Sequence, residues 1–209
     1  VKKLMVAWRG LYAITDSRLI PSLQFVATVE AAIKGGARVI QYRDKSTDNH
    51  QRFQQAQALH YLCQQYQIPL IINDDVTLAQ QVGAEGIHLG QADAKLTTVR
   101  ALLGNDVIIG ISCHNQLALA KEAVANGATY VAFGRFFQSQ TKPNAVAAHL
   151  DLLHQARQLL PCPIIAIGGI TPDNGKQLIA AGANCLAVIQ GVFGQPNICA
   201  AAQRYAQLF

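Results

Sequence analysis

Apolar residues along the 209-residue chain gather in eight short blocks: LYAIT (11–15), VIQYR (39–43), PLIIND (69–74), GIHLG (86–90), VIIGIS (107–112), YVAFG (130–134), PIIAIG (163–168) and CLAVI (185–189). Each is rich in β-branched residues, and most are apolar on both faces, as in strands covered on two sides in a parallel sheet. Between the blocks the period lengthens. LQFVATVEAAIK (23–34), HQRFQQAQALHYLCQQY (50–66) and NQLALAKEAVAN (115–126) carry their apolar residues at helical spacing. Regular alternation of strand and helix predicts an α/β fold.

A weak internal repeat supports that count. GGARVIQYR (35–43), VGAEGIHLG (82–90), NGATYVAFG (126–134) and AGANCLAVI (181–189) share Gly-Ala-x ahead of a strand. The glycine suits a helix end in the left-handed conformation, and the alanine a tight entry into the next strand. Eight βα units in about 200 residues predict one (β/α)8 TIM barrel spanning residues 1–209 as a single domain. A doubly wound open sheet is the alternative, disfavoured by the count and by the lack of a G-x-G-x-x-G segment.

The barrel expectation carries a test, because catalytic groups on this fold lie at the C-terminal ends of the strands. The residues after the blocks are Thr15 and Asp16; Gln41, Arg43, Asp44 and Lys45; Asn73, Asp74 and Asp75; Gln91 and Asp93; Ser112 and His114; Gly168 and Gly169; Gln190 and Gly191. Polar and ionisable side chains therefore concentrate at one end.

Composition narrows the setting. The chain is 51% hydrophobic and 14% charged, which excludes disorder and fits a deep interior. Five scattered cysteines without a C-x-x-C pair predict reduced, mostly buried thiols and a cytoplasmic protein. No apolar run reaches the ~20 residues of a membrane helix, and the opening apolar run is too short for a signal peptide. The net charge of +5 comes from cations that form no run and are not interleaved with aromatics. Small anionic, phosphorylated substrates explain it with fewer assumptions than nucleic acid. The sequence leaves homo-oligomer formation open.

Gln41, Arg43 and Lys45 alternate along one face at the end of the second strand, an arrangement suited to a phosphate or diphosphate. The competing reading is an exposed RDK loop whose cations pair with Asp44. Asp74 and Asp93 follow neighbouring strands and could share one Mg²⁺ with substrate oxygens. Each could instead cap the helix that follows, as could Asp75. Gly168 and Gly169 after the seventh strand, with Gly191 after the eighth, stand where barrels of this kind bind phosphate through backbone N–H groups. The loop FGRFFQSQTKPNA (133–145), bearing Ser139, Thr141 and Lys142, lies between these two anion pockets in strand order. His114 could serve as a general base but, as a lone histidine ahead of a helix, reads more simply as a cap or packing residue; His88 reads as structural, and Trp8 as a lid on the N-terminal face.

Quoted in order, LYAITD, VIQYRDK, IINDD, GIHLGQAD, GISCHN, FGRFFQSQTKPNA, IAIGGIT and AVIQGVF resemble the thiamine phosphate synthase family (thiamine-phosphate pyrophosphorylases) over nearly the whole chain. The resemblance implies a transferase on a (β/α)8 barrel. It would join hydroxymethylpyrimidine diphosphate to a thiazole phosphate, or its carboxylated form, and release pyrophosphate by a dissociative route with Mg²⁺. It implies that Gln41, Arg43, Lys45, Asn73 and Lys142 hold the pyrimidine diphosphate, that Asp74 and Asp93 hold Mg²⁺, and that Ser112 faces the pyrimidine or the leaving group. Ser139, Thr141, Gly169 and the backbone at Ile189 and Gln190 would hold the thiazole phosphate. Arg43, Lys45, Ser112 and Lys142 would carry the catalysis. Three positions depart from the family's usual pattern: Arg135 stands for proline, Ser139 for threonine and Gln190 for serine. A thiazole tautomerase-like isomerase, or a barrel that only binds thiazole phosphate, is the alternative.

Overall fold

The computed structural model describes residues 8–138 and 146–209. Strands β1 (Gly10–Ile14), β2 (Ala37–Tyr42), β3 (Leu70–Asn73), β4 (Gly86–Leu89), β5 (Ile108–Ser112), β6 (Tyr130–Phe133), β7 (Ile164–Ile167) and β8 (Cys185–Val188) pair in sequence order, all parallel. Pairing of β1 with β8 closes the barrel. The outer ring contains α1 (Phe25–Lys34), α2 (Asn49–Gln65), α3 (Val76–Val82), α4 (Leu96–Leu103), α5 (Leu117–Ala125), α6 (Leu150–Leu159) and α7 (Pro172–Ala181). The short α8 (Gln190–Phe193) and then α9 (Ile198–Ala206) follow β8.

Alternation along the strands divides the core in two. Outward residues such as Leu11, Ile40, Leu70, Ile72, Val131 and Leu186 pack beneath the helices. Inward residues, including Tyr12, Ile14, Val39, Ile71, Tyr130, Ile165 and Cys185, fill the barrel itself. Trp8 packs on this inner cluster, its ring 4.9 Å from that of Tyr130, in keeping with a lid over the N-terminal face.

The helix ends follow local chemistry. Asp48 caps α2 by accepting from Gln51 N, and Thr171 with Asn174 forms a capping box at α7, where Pro172 takes the first helical position. The four repeat glycines Gly36, Gly83, Gly127 and Gly182 all have positive φ, the conformation expected where a helix turns into its next strand. Cys63, Cys113 and Cys185 are buried free thiols, and burial pushes each up to about 12, so they act as small packing residues and not as nucleophiles. Cys162 and Cys199 are free and only partly buried.

Candidate active site

A cavity of about 390 Å³ opens at the C-terminal end of the barrel, lined among others by Gln41, Arg43, Asn73, Asp93, Ser112 and Ile189. Beside it, a second cavity of about 300 Å³ is bounded by Gly168, Gly169, Ile189, Gln190 and Gln138. The two share Ile167, Gly168, Ala187 and Ile189. Two adjoining spaces therefore open at the mouth of the barrel. Ser139, Thr141 and Lys142 lie outside the described residues.

The floor of the larger cavity is a chain of side-chain hydrogen bonds across the barrel. Gln41 Nε2 donates to the Tyr12 hydroxyl at 2.9 Å, and the Tyr12 and Tyr130 hydroxyls are 2.8 Å apart. The Tyr130 hydroxyl lies 2.9 Å from His88 Nδ1, and His88 Nε2 lies 2.8 Å from Ser112 Oγ. Burial raises both phenols, which stay protonated. A hydroxyl carries one proton and two lone pairs, so Tyr12, while accepting from Gln41, still bonds Tyr130, and Tyr130 bonds both Tyr12 and His88. His88 is thus structural, as its strand position suggests, but it belongs to the site.

On the rim, the RDK cations do not pair with Asp44. That carboxylate instead accepts from Ser46 N at 2.8 Å and Ser46 Oγ at 3.0 Å. Arg43 lines the larger cavity, with Nη1 3.7 Å from Asp16 Oδ2, and Lys45 Nζ lies 2.5 Å from Asp74 Oδ2. Asp75 caps α3 through Leu78 N at 2.9 Å and takes an ion pair from Arg52 at 2.7 Å. Asp74 is left free of capping. It is held at φ 63° by its N–H bond to His88 O, in a left-handed conformation that aspartate tolerates better than most residues.

Asp93 does not cap α4 either. The N-cap of α4 is Lys95, and Asp93 Oδ2 accepts from Gly90 N at 2.6 Å, closing a tight turn that aims the carboxylate at Asp74. Burial opposes ionisation of Asp74, but hydrogen bonds from Lys45, Asp93 and Asn73 outweigh it and hold the carboxyl below its ordinary value. Burial, together with the adjacent Asp74, holds Asp93 above its own against the pull of the Gly90 N–H. Two carboxylates close enough to share a proton, next to a lysine, form a site for added positive charge.

The second cavity is built from backbone. Gly169 has φ 62°, and a Cβ there would stand 2.3 Å from Gln138 O, so only glycine fits. Asn174 Nδ2 donates to Gly169 O at 3.1 Å and fixes the turn. Ile189 is the N-cap of α8, whose first-turn N–H groups open beside this space. The base of the β6–α6 loop is bonded to the same turn, Phe136 N to Ile167 O at 3.2 Å and Phe137 N to Gly168 O at 3.0 Å. Arg135, one of the departures from the family pattern, lines the larger cavity.

His114 is exposed at the rim with φ 51° and caps nothing, since the N-cap of α5 is Gln116. Sequence reading missed Tyr12 and Tyr130 as site residues, and it placed Thr15 and Asp16 at the mouth without giving them a role. The phenols were hidden as hydrophobic strand positions, and only the cross-strand register joins them to Gln41 and His88.

Among the described residues no helix is long and apolar enough to cross a membrane, and no group of three or more His, Cys, Asp or Glu could hold a metal ion. A sequence model of the family described as "Thiamine monophosphate synthase" matches residues 11–192. A thiamine-phosphate synthase of Nitrosococcus oceani is 54% identical over 201 residues, covering 96% of this chain and 93% of that protein. One from Saccharophagus degradans is 54% identical over 189 residues, covering 90% and 87%. Among solved structures, a thiamine phosphate pyrophosphorylase from Pyrococcus furiosus superposes with a TM-score of 0.87 at 30% identity, over 97% of this chain and 96% of that one.

Proposed function

Because the chain belongs to the thiamine monophosphate synthase family, we propose that it is a transferase that makes thiamine phosphate. The substrates on this reading are 4-amino-2-methyl-5-hydroxymethylpyrimidine diphosphate and 4-methyl-5-(2-phosphoethyl)thiazole, and pyrophosphate is released. The observation that carries it is the pair of adjoining cavities, one lined by Arg43 and by Asp93, beside which the Lys45–Asp74 pair stands, and the other by the Gly168–Gly169 turn and α8.

The pyrimidine would lie against Ile14, Ala132 and Ile165, with Gln41 and the Ser112 end of the hydroxyl chain beneath it. Its diphosphate would then face Arg43, Lys45 and Asn73, with Lys142 from the neighbouring loop. The thiazole phosphate would take Gly169 and the Ile189–Gln190 backbone, with Ser139 and Thr141. Asp74 and Asp93 fit Mg²⁺, which takes few carboxylates and completes its shell with waters and phosphate oxygens, better than zinc with its three or four protein ligands. When bound, the ion supplies charge neutralisation at the diphosphate.

The residues of the chain do the rest. Arg43 and Lys45 stabilise negative charge as the C–O bond to the diphosphate breaks, and Ser112 donates its proton's hydrogen bond to the departing oxygens. The buried floor excludes water from the electron-poor pyrimidine methylene until the thiazole nitrogen bonds to it. Since that nitrogen carries no proton, the substitution needs no general base, and His114 has no assigned role. The test is to incubate both substrates with and without Mg²⁺ and measure thiamine phosphate, with the carboxylated thiazole as a second acceptor. Metal-dependent product is expected. Metal-independent product would remove Asp74 and Asp93 from the reading, and an isomerised thiazole without product would replace synthesis with tautomerisation.

A further inference from the structure

The loop after β1 contains a carboxylate with two unequal cationic neighbours. Asp16 is 2% exposed. Its Oδ1 accepts from Arg18 N and from Arg18 Nε, each at 3.0 Å, and its Oδ2 accepts from Arg18 Nη2 at 2.7 Å. Arg43 comes only within 3.7 Å of Oδ2, beyond hydrogen-bonding distance. The backbone of Arg43 is nonetheless fastened. The hydroxyl of fully buried Thr15 accepts from Arg43 N at 2.9 Å and donates to Arg43 O at 3.3 Å. One residue thus ties down the main chain of Arg43, and the next attracts its charge without taking its N–H groups.

That balance depends on Arg18. A buried carboxylate beside a single arginine forms a bidentate pair with it, and one without a partner is strongly destabilised. The Arg18 side chain, 73% exposed, meets both oxygens of Asp16 from the solvent side and, with the Arg18 backbone N–H, takes three of the four acceptor positions of the carboxylate. Arg18 itself is not among the residues lining the cavity.

We propose that Arg18 is a positioning residue: by binding both oxygens of Asp16 it keeps Arg43 out of a bidentate pair and leaves its guanidinium available at the cavity to receive a diphosphate. This rests on the reading that Arg43 meets the diphosphate of the substrate. Without Arg18, Asp16 draws Arg43 into a bidentate pair and takes its donors out of the site.

The test is a double-mutant cycle read by calorimetric binding of pyrophosphate in the presence of Mg²⁺, with the fold of each variant checked by thermal unfolding. Arg18→Ala is expected to weaken binding about ten-fold, the scale of one charge-assisted hydrogen bond. In an Asp16→Asn background, where nothing captures Arg43, the same change is expected to have no effect. Arg18→Lys, which keeps the charge but leaves one carboxylate oxygen open, is expected to give a smaller loss that Asp16→Asn also abolishes, and it decides the question if the alanine variant does not fold.

In turnover, the KM for the diphosphate substrate is expected to rise while that for the thiazole phosphate stays put. An equal loss in both backgrounds would mean that Arg18 touches the anion itself or acts through the fold, and would overturn the proposal, as would wild-type affinity in Arg18→Ala. Wild-type protein that binds no pyrophosphate would overturn it too. Protein that binds pyrophosphate but makes no thiamine phosphate would refute the synthase reading alone.

Discussion

Replacing Gly110 with alanine tests whether the floor of the cavity is as tightly built as its geometry indicates. A Cβ at Gly110 would stand 1.9 Å from Tyr130 Cζ and 2.3 Å from both Cε2 and the hydroxyl oxygen. Ordinary carbon contacts begin near 3.5 Å, so the ring must retreat by about 1.5 Å. It has nowhere to go. Trp8 packs at 4.9 Å on one side, His88 stacks at 5.6 Å, and the hydroxyl is held between Tyr12 and His88. Overpacking costs about 1–3 kcal/mol, and losing two buried hydrogen bonds adds about 1 kcal/mol each, so a loss of about 3–5 kcal/mol is expected. Urea unfolding followed by circular dichroism would read it as a lower midpoint with an unchanged slope. In a Tyr130→Leu background the same alanine is expected to cost less than about 1 kcal/mol. Equal costs in both backgrounds, or a single variant within about 0.5 kcal/mol of wild type, would refute the claim that ring and glycine are mutually fitted.

Neighbouring aspartates are expected to separate stability from activity. Asp75→Ala should cost about 1–2 kcal/mol by thermal unfolding, from the lost cap and the stranded Arg52. Asp74→Asn should stay within about 0.5 kcal/mol, since asparagine accepts the same backbone, while turnover falls at least about a hundred-fold. Gly169→Ala, whose Cβ would meet Gln138 O at 2.3 Å, should raise the KM for the thiazole phosphate and leave that for the diphosphate unchanged. The hydrogen bond from Arg18 outweighs burial and holds the Asp16 carboxyl below its ordinary 3.8. The stability it contributes is therefore complete above that value and lost as pH falls through the lowered one. The stability difference between wild type and Asp16→Asn should be flat from about pH 7 to 5 and shrink below about 4, and a difference that widened in acid would contradict the assignment.

The barrel was legible because its signal is carried by period. Eight apolar blocks and four Gly-Ala-x joints mark the strands to within a residue or two. The rim was legible in part, because position after a strand places a side chain at the mouth. Which aspartate caps a helix and which faces the cavity was not. Asp74 and Asp75 are identical in type and adjacent in sequence, and a left-handed φ at Asp74 decides between them. The floor was least legible. Tyr12 and Tyr130 are 118 residues apart and look like any buried strand aromatic until the closed barrel brings their hydroxyls to 2.8 Å. Asp16 was visible at the end of a strand, but its partnership with Arg18 depends on the turn between them.

The bonds from Phe136 and Phe137 to the β7 turn, with the return bond from Ala148 N to Arg135 O at 2.8 Å, give the segment between β6 and α6 two footings. One residue added or removed within 134–137 would break the match of the Phe136 and Phe137 N–H groups to the Ile167 and Gly168 carbonyls. Ten residues, 138–147, separate the footings in the sequence. Doubling a closed span adds only about 0.6 kcal/mol of closure entropy. A change of length within that span is therefore expected to leave the eight strands in register, at the expense of the contacts proposed for Ser139, Thr141 and Lys142.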